Sequence, residues 1–343
     1  MVRDRARRTQ AGRSPATSAR ESCILHAIRA ETNHVGCRGA APEGSRYASS
    51  ASSSLKDRRP PPPLVEETNM HISRNAIDEE ILESNIVLND ENIQSFKEEL
   101  SQNNFLVVRG IEQNSFANLC SAAALSYSVE RQSAYLDMFV ESSLAKYQMA
   151  THVGTEVTVS LLGNQYQVVA PDKNYSASEG NWMLGYMAAL AARKMDVVRS
   201  FCAIDLDVVR QSEGTVGGRY SALFSTFLQR LFKKGEPHGK NLLAAANEIK
   251  ADAMPEPTYD YALHIDGPLI DMFVPLLSDD KEDFNALLIQ ALEYHKKYWS
   301  REQKNIVGGL VSLPITALAV MAKDYGFLVD HTSDYLLQFL IDE

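Results

Sequence analysis

The stretch that decides the fold reads Gly308-Gly309-Leu310-Val311-Ser312-Leu313-Pro314-Ile315-Thr316-Ala317-Leu318-Ala319-Val320-Met321-Ala322. The segment 306–322 carries no charge, and Lys304 and Lys323 stand directly beyond it. A helix that is apolar on most of its surface must be buried on most sides. We therefore predict one nearly uncharged helix in the middle of the core, then a tight turn at Gly326 and a short terminal helix near residues 333–340.

The same segment has to be considered as a membrane span. Its 17 uncharged residues fall short of the roughly 20 that a spanning helix needs. Gly308, Gly309 and Pro314 interrupt it, and lysines close it tightly. These features favour a buried core helix, and we expect no membrane partner.

Residues 1–69 differ in composition from the rest. They hold 12 Lys and Arg against 7 Asp and Glu, are rich in Ser, Ala and Gly, and contain a proline run at 60–63. Such a stretch cannot bury enough apolar surface to offset the entropy of ordering it. We predict a disordered basic tail without the apolar core of a secretory signal. It is either a transit-like leader, against which its acidic residues count, or an upstream misassignment of the start, with Met70 as the initiator.

Residues 70–343 are predicted to form a single, mostly helical domain. They hold 22 Lys and Arg against 37 Asp and Glu, a net charge of −15. Nucleic-acid binding is disfavoured because phosphate contacts require a basic patch. Cys120 and Cys202 lie in apolar segments without a CxxC partner, which predicts buried free thiols in a reducing compartment. We expect a cytoplasmic protein.

One small β-hairpin interrupts the helices. Val157, Val159 and Leu161 alternate with polar residues, and the alternation resumes after Gly163-Asn164. Period two around a turn pair is typical of a hairpin. Residues 105–108 fit either a strand or a helix start. Helical spacing elsewhere predicts helices over 90–103, two within 115–147, and then 182–192, 195–204, 206–211, 220–232, 242–249, 267–277 and 279–299.

A weak internal echo suggests helix pairs. Residues 188–211 and 316–338 both read as a small-residue helix, a charged turn and a short helix. Helix-pair repeats produce such echoes. The fold class is therefore mostly α, multi-helix and possibly repeat-like, with one β-hairpin.

Motifs for catalysis or metal binding are missing from the sequence. His295 lies on an apolar helical stripe, where a core histidine is the simpler interpretation. Gly214, Gly217 and Gly218 form a glycine-rich turn without the strand and Lys-Ser/Thr of a phosphate loop. HExxH and GxSxG are absent. We expect no enzyme, no cofactor and no metal.

An acidic segment at 252–283 has Lys281 as its one Lys or Arg. Two interpretations remain open. The segment is either a solvated surface, with helix-start preference explaining its last carboxylates, or a face that meets a basic protein. Under the second interpretation the candidate contact residues are Asp252, Glu256, Asp260, Asp266, Asp271, Asp279, Asp280, Glu282 and Asp283.

Several short motifs in the C-terminal half occur together in a characteristic order. They are Gly180-Asn181-Trp182 at the start of an alanine-rich helix, His295-Lys296-Lys297-Tyr298-Trp299, Gly309-Leu310 before Leu313-Pro314, and Ser333-Asp334-Tyr335-Leu336. In this order and spacing the chain resembles the immunity protein 49 family from about residue 155 to the end, and more weakly over 70–150. These proteins accompany bacterial polymorphic toxin systems.

The resemblance implies a mostly helical protein that binds a cognate toxin domain and blocks it without catalysis. It implies fold roles rather than toxin contacts for Asn181, Trp182, His295, Tyr298, Trp299, Pro314, Asp334 and Tyr335. The alternative functions are a helical repeat-like adaptor for another protein, and an enzyme whose site no motif reveals. The oligomeric state and the toxin are not implied.

Overall fold

A computed structural model describes residues 71–100, 105–170, 177–210, 218–233, 239–250, 254–300 and 307–343. The predicted tail and residue Asp252 lie outside these ranges. The described chain is mostly helical, which confirms the predicted fold class. Its short strands are β1 (His71–Ile72), β2 (Glu156–Leu161), β3 (Asn164–Val169) and β4 (Thr332–Ser333).

The helices follow the predicted order. They are α1 (Glu79–Glu99), α2 (Phe105–Ala124), α3 (Val129–Ala150), α4 (Glu179–Ala191), α5 (Met195–Cys202), α6 (Leu206–Arg210), α7 (Gly218–Arg230), α8 (Gly239–Glu248), α9 (Glu256–Tyr261), α10 (Gly267–Ser278), α11 (Lys281–Trp299), α12 (Leu313–Asp324) and α13 (Gln338–Asp342). A π-helical turn (Ala262–Asp266) joins α9 to α10, and a 3-10 turn (Val307–Gly309) precedes α12.

The helix predicted at residues 90–103 begins earlier than expected. Asp78 is the N-cap of α1, where its side chain accepts from the amide of Ile81. Asp90, the first residue of the predicted range, lies inside the helix and accepts hydrogen bonds from Asn118 and Tyr135. The ambiguous run at residues 105–108 is the first turn of α2, so its strand interpretation is wrong.

The uncharged helix is the centre of the core, as predicted. Ser312 caps α12 by accepting from the amide of Ile315, and Pro314 occupies the first turn, where its missing N–H is harmless. Residues 315–322 are all buried. By length and composition Val307–Asp324 is apolar enough to cross a membrane, and 72% of it is buried inside the protein. The protein core accounts for its apolar character.

The helices in which the two echoing segments begin, α4 and α12, lie side by side. Both helices end with a residue at positive φ, Arg193 (53°) and Gly326 (78°). The guanidinium of Arg193 donates to Asp324 at the end of α12, so the two C-terminal ends are neighbours. A parallel helix pair thus underlies the echo, and the repeat interpretation remains a prediction.

The predicted hairpin is confirmed as β2 paired antiparallel to β3. Its turn lies one residue earlier than expected, at Leu162 (φ 56°) and Gly163 (φ 74°), and Asn164 already belongs to β3. Val159, Leu161 and other hairpin residues form a second apolar cluster with α2 and α3. A further pair, β1 parallel to β4, was not predicted, because each strand is only two residues long.

Candidate functional site

Several of the family-like motif residues are buried and make hydrogen bonds between separate segments of the chain. Trp182 is fully buried, stacks on Tyr186 at 5.2 Å between ring centroids, and its Nε1 donates to the carbonyl of Phe201 at 3.2 Å. Tyr335 is 1% exposed and its hydroxyl accepts from the amide of Asn75 at 3.1 Å. Asp334 accepts from the amide of Arg74 at 3.0 Å. Their contacts are structural.

His295 is a core histidine. It is buried, and its Nε2 donates to the carbonyl of Gly309 at 3.2 Å, while Tyr335 meets the ring edge to face. Burial lowers its pKa to about 4. Trp299 packs directly against Gly309, where an added Cβ would lie 2.6 Å from the indole Cγ. Tyr298 packs edge to face on Tyr261.

The predicted acidic residues do not form one face. Asp266 is buried, 4% exposed, and is therefore not part of an exposed acidic face. About 20 Å of helix α10 separates it from Asp279, at 1.5 Å per residue. Asp280 caps α11 by accepting from the amide of Asp283 at 3.2 Å. Asp280 therefore has a structural role as a helix cap, and whether it also contacts a toxin stays a prediction.

The other acidic candidates lie around α9 and along α10 and α11. Glu256 is exposed in the first turn of α9, and Asp260 is half-buried and lies 3.1 Å from His264 Nδ1. Asp271 is half-buried on α10, and Glu282 is exposed in the first turn of α11. Their role in toxin contact stays a prediction.

Sequence reasoning missed a cleft of about 400 Å³ between the start of α4, the start of α7, the π-helical turn and Pro314. Its polar wall holds Glu179, Tyr220 and Asp266, and its apolar wall includes Met183 and Leu184. Asn181 lies at its rim, exposed, with its amide donating to the capping hydroxyl of Ser178. No sequence signal could have revealed it, because its walls come from four separated parts of the chain.

The π-helical turn shapes this cleft. Pro268 has no N–H to donate to the carbonyl of His264, and its ring would crowd that carbonyl in an α-helix. The turn widens instead, and the amide of Gly267 donates to the carbonyl of Ala262. A Cβ on Gly267 would lie 2.9 Å from that oxygen. Single π-helical turns are frequent at functional sites, and this one places Asp266 in the wall.

Glu179 is an ion-paired carboxylate at the edge of the cleft. It is 2% exposed, and Arg210 donates to its Oε1 at 2.6 Å, as does Ser225 at 2.9 Å. Asp266 differs from it. Its Oδ2 accepts from the hydroxyl of Tyr220 at 3.0 Å, and burial raises its pKa to about 7. Among the described residues no Lys or Arg lines the cleft.

These observations define a mostly helical protein with a polar cleft beside its central helix pair. The family model described as Immunity protein 49 matches residues 114–336, most of the chain. The chain belongs to the immunity protein 49 family, which confirms the resemblance. No curated protein matches the chain, and no solved structure does.

Proposed function

We propose that this protein neutralises a cognate bacterial toxin domain by binding it stoichiometrically in the cytoplasm. Membership of the immunity protein 49 family, over residues 114–336, is the observation that carries the proposal. Immunity implies a protein toxin as partner. The acidic balance of residues 70–343, with 22 Lys and Arg against 37 Asp and Glu, supports a basic toxin, since complementary charge speeds association.

Binding rather than catalysis is the mechanism that the contacts support. The buried polar groups beside the cleft are tied to neighbouring helices: Glu179 to Arg210 and Ser225, and Tyr220 to Asp266. A cleft lined by converging polar groups is also what an enzyme would need. Growth rescue tests immunity itself, and a titration of toxin activity with this protein separates binding from catalysis by stoichiometry.

Growth rescue is the direct test of immunity. The toxin domain encoded beside this gene is expressed with the full-length chain, with residues 70–343, or with an unrelated acidic helical protein as control. We expect rescue by both forms of this chain and not by the control. Growth arrest in every culture, with both proteins detected, would contradict the proposal and favour an adaptor for another partner.

A further inference from the structure

The inner wall of the cleft contains an unsatisfied carboxylate oxygen. Asp266 is 4% exposed and lines the cleft, and Tyr220 satisfies its Oδ2. Its Oδ1 has no hydrogen-bond partner among the described residues. Leaving a buried acceptor unpaired is unfavourable, and native proteins rarely do so without a functional reason. Because Asp266 lines the cleft, a donor that enters the cleft is the source from which this oxygen would gain a partner.

Charge selects the kind of donor. The other carboxylate in the wall, Glu179, already pairs with Arg210, whereas no Lys or Arg of the described chain lines the cleft beside Asp266. A cationic donor would both satisfy Oδ1 and neutralise the carboxylate. Charge-assisted hydrogen bonds of this kind are about twice as strong as neutral ones.

The shape of the cleft suits a long basic side chain. Its volume of about 400 Å³ is at the small end of ligand sites, which span roughly 300–1,000 Å³. Met183, Leu184 and Ile265 provide apolar surface for the methylene stem of a Lys or Arg, whose charged head keeps polar contacts. Tyr261 adds an aromatic ring to the wall.

Gly180 lies at the open rim of the cleft. Gly180 is exposed in the first turn of α4, and an added Cβ would meet nothing within 4 Å. Packing within this chain therefore gives no reason for a glycine, which is less favourable than alanine inside a helix. The entrance of the cleft is therefore open at Gly180, where a Cβ alone has room and only a large side chain would fill the space.

We propose that the cleft receives a lysine or arginine side chain of the toxin, whose cationic head pairs with Asp266 Oδ1 at the inner wall. This inference rests on the proposed function and names the contact through which the toxin is held. The proposed contact is therefore one buried carboxylate in the wall of the cleft, and not an extended acidic face.

The first test removes the charge and keeps the shape. The affinity of the purified neighbouring toxin domain is measured by calorimetry for the wild type, Asp266→Asn and the control Glu83→Gln, which removes one exposed charge on α1. We expect Asp266→Asn to weaken binding roughly 30-fold or more, as loss of one partner of a buried ion pair does. Glu83→Gln is expected to change the affinity less than about threefold, as for a peripheral charge.

A stability readout separates contact from folding. A residue that only supports the fold would lose affinity and thermal stability together. We expect the melting temperature of Asp266→Asn at pH 8 to equal or exceed that of the wild type, because the variant no longer buries a charge. Loss of affinity accompanied by a matching loss of melting temperature would overturn the inference.

The second test fills the cleft without touching Asp266. Gly180→Trp places a bulky side chain at the open rim, and Gly180→Ala is the matched control. We expect Trp to reduce affinity at least tenfold and Ala to leave it within about twofold. Wild-type affinity in both Gly180→Trp and Asp266→Asn would refute the cleft as the contact while leaving immunity intact. If the wild-type protein itself does not bind the toxin domain, the proposed function is refuted.

Discussion

Two buried titratable residues, Asp266 and His295, respond to pH in opposite directions. Burial raises the pKa of Asp266 from 3.8 to about 7, so the folded state holds a proton that the unfolded state releases. Its contribution to stability is present below about pH 4 and is lost as pH rises through 7. We expect Asp266→Asn to gain stability relative to the wild type over this window, by up to about 3 kcal/mol. Chemical denaturation at pH 4.5, 6 and 8 measures the difference.

His295 contributes in the opposite sense. Its pKa is lowered from 6.5 to about 4 by burial, so the unfolded state binds a proton that the folded state excludes. The stability it contributes is present above pH 6.5 and is lost as pH falls through 4. His295→Gln, which can still donate to the Gly309 carbonyl, is expected to lose less stability than the wild type between pH 6.5 and 4.5. Equal pH slopes for the two proteins would contradict a neutral buried histidine.

Neighbouring glycines before α12 are predicted to differ sharply. A Cβ on Gly309 would lie 2.6–2.8 Å from Cγ, Cδ2 and Cβ of Trp299, whereas a Cβ on Gly308 would come no closer than 3.8 Å to the same indole. We expect Gly309→Ala to destabilise the protein by about 2 kcal/mol or more, as overpacking does. Gly308→Ala is the matched control, expected to change the free energy of unfolding by less than about 1 kcal/mol. Similar values for both would show that the indole can move away.

At the level of helices, α2 and α3 share a buried ion pair. Lys146 on α3 is 1% exposed and its ammonium donates to Glu112 on α2, which is 6% exposed. Lys146→Met would leave the Glu112 carboxylate buried without this cation, and we expect a loss of about 3 kcal/mol. The double variant Lys146→Met, Glu112→Leu is expected to recover most of it. Urea unfolding of the wild type and both variants measures the free energy of unfolding. A loss in the double variant equal to that in Lys146→Met would contradict this account.

Sequence patterns predicted the elements whose causes are local. The alternation of Val157, Val159 and Leu161 with polar residues was sufficient to predict the hairpin. The acidic residues at its start and its apolar stripe were sufficient to predict α11. The start of α1 was missed because the apolar residues of its first turns do not form one stripe. Leu82 and Ile86 are buried, whereas Ile81, Val87 and Leu88 are exposed. The π-helical turn was missed because it depends on where a proline falls within a continuous helical run.

For the whole molecule, the sequence predicted a helical core around α12 and could not predict the cleft. Gly180, Tyr220, Asp266 and Pro314 come together only through packing of α4, α7, α10 and α12. The acidic segment was a true feature of composition, but folding buries Asp266, uses Asp280 as a helix cap and leaves others, such as Glu256 and Glu282, exposed. Charge content is readable from sequence, whereas its distribution in space depends on the packing.

The net charge of residues 70–343 predicts how the association rate constant depends on salt concentration. If the toxin is basic, the net negative charge of residues 70–343 attracts it over long range, and salt screens that attraction. We expect the association rate constant to fall at least tenfold between about 20 and 500 mM salt, with the dissociation rate changing much less. Stopped-flow mixing measures both rates. A salt-independent association rate would contradict electrostatic attraction, while leaving the Asp266 contact to be tested separately.

We propose that one molecule of this protein neutralises one molecule of toxin. The most direct measurement is the residual activity of a fixed amount of toxin as this protein is added, read after short and long incubation. Stoichiometric binding predicts a linear loss of activity that ends at one equivalent and does not change with time. Complete inactivation by a small fraction of an equivalent, progressing with time, would contradict the account and reveal an enzyme acting on the toxin.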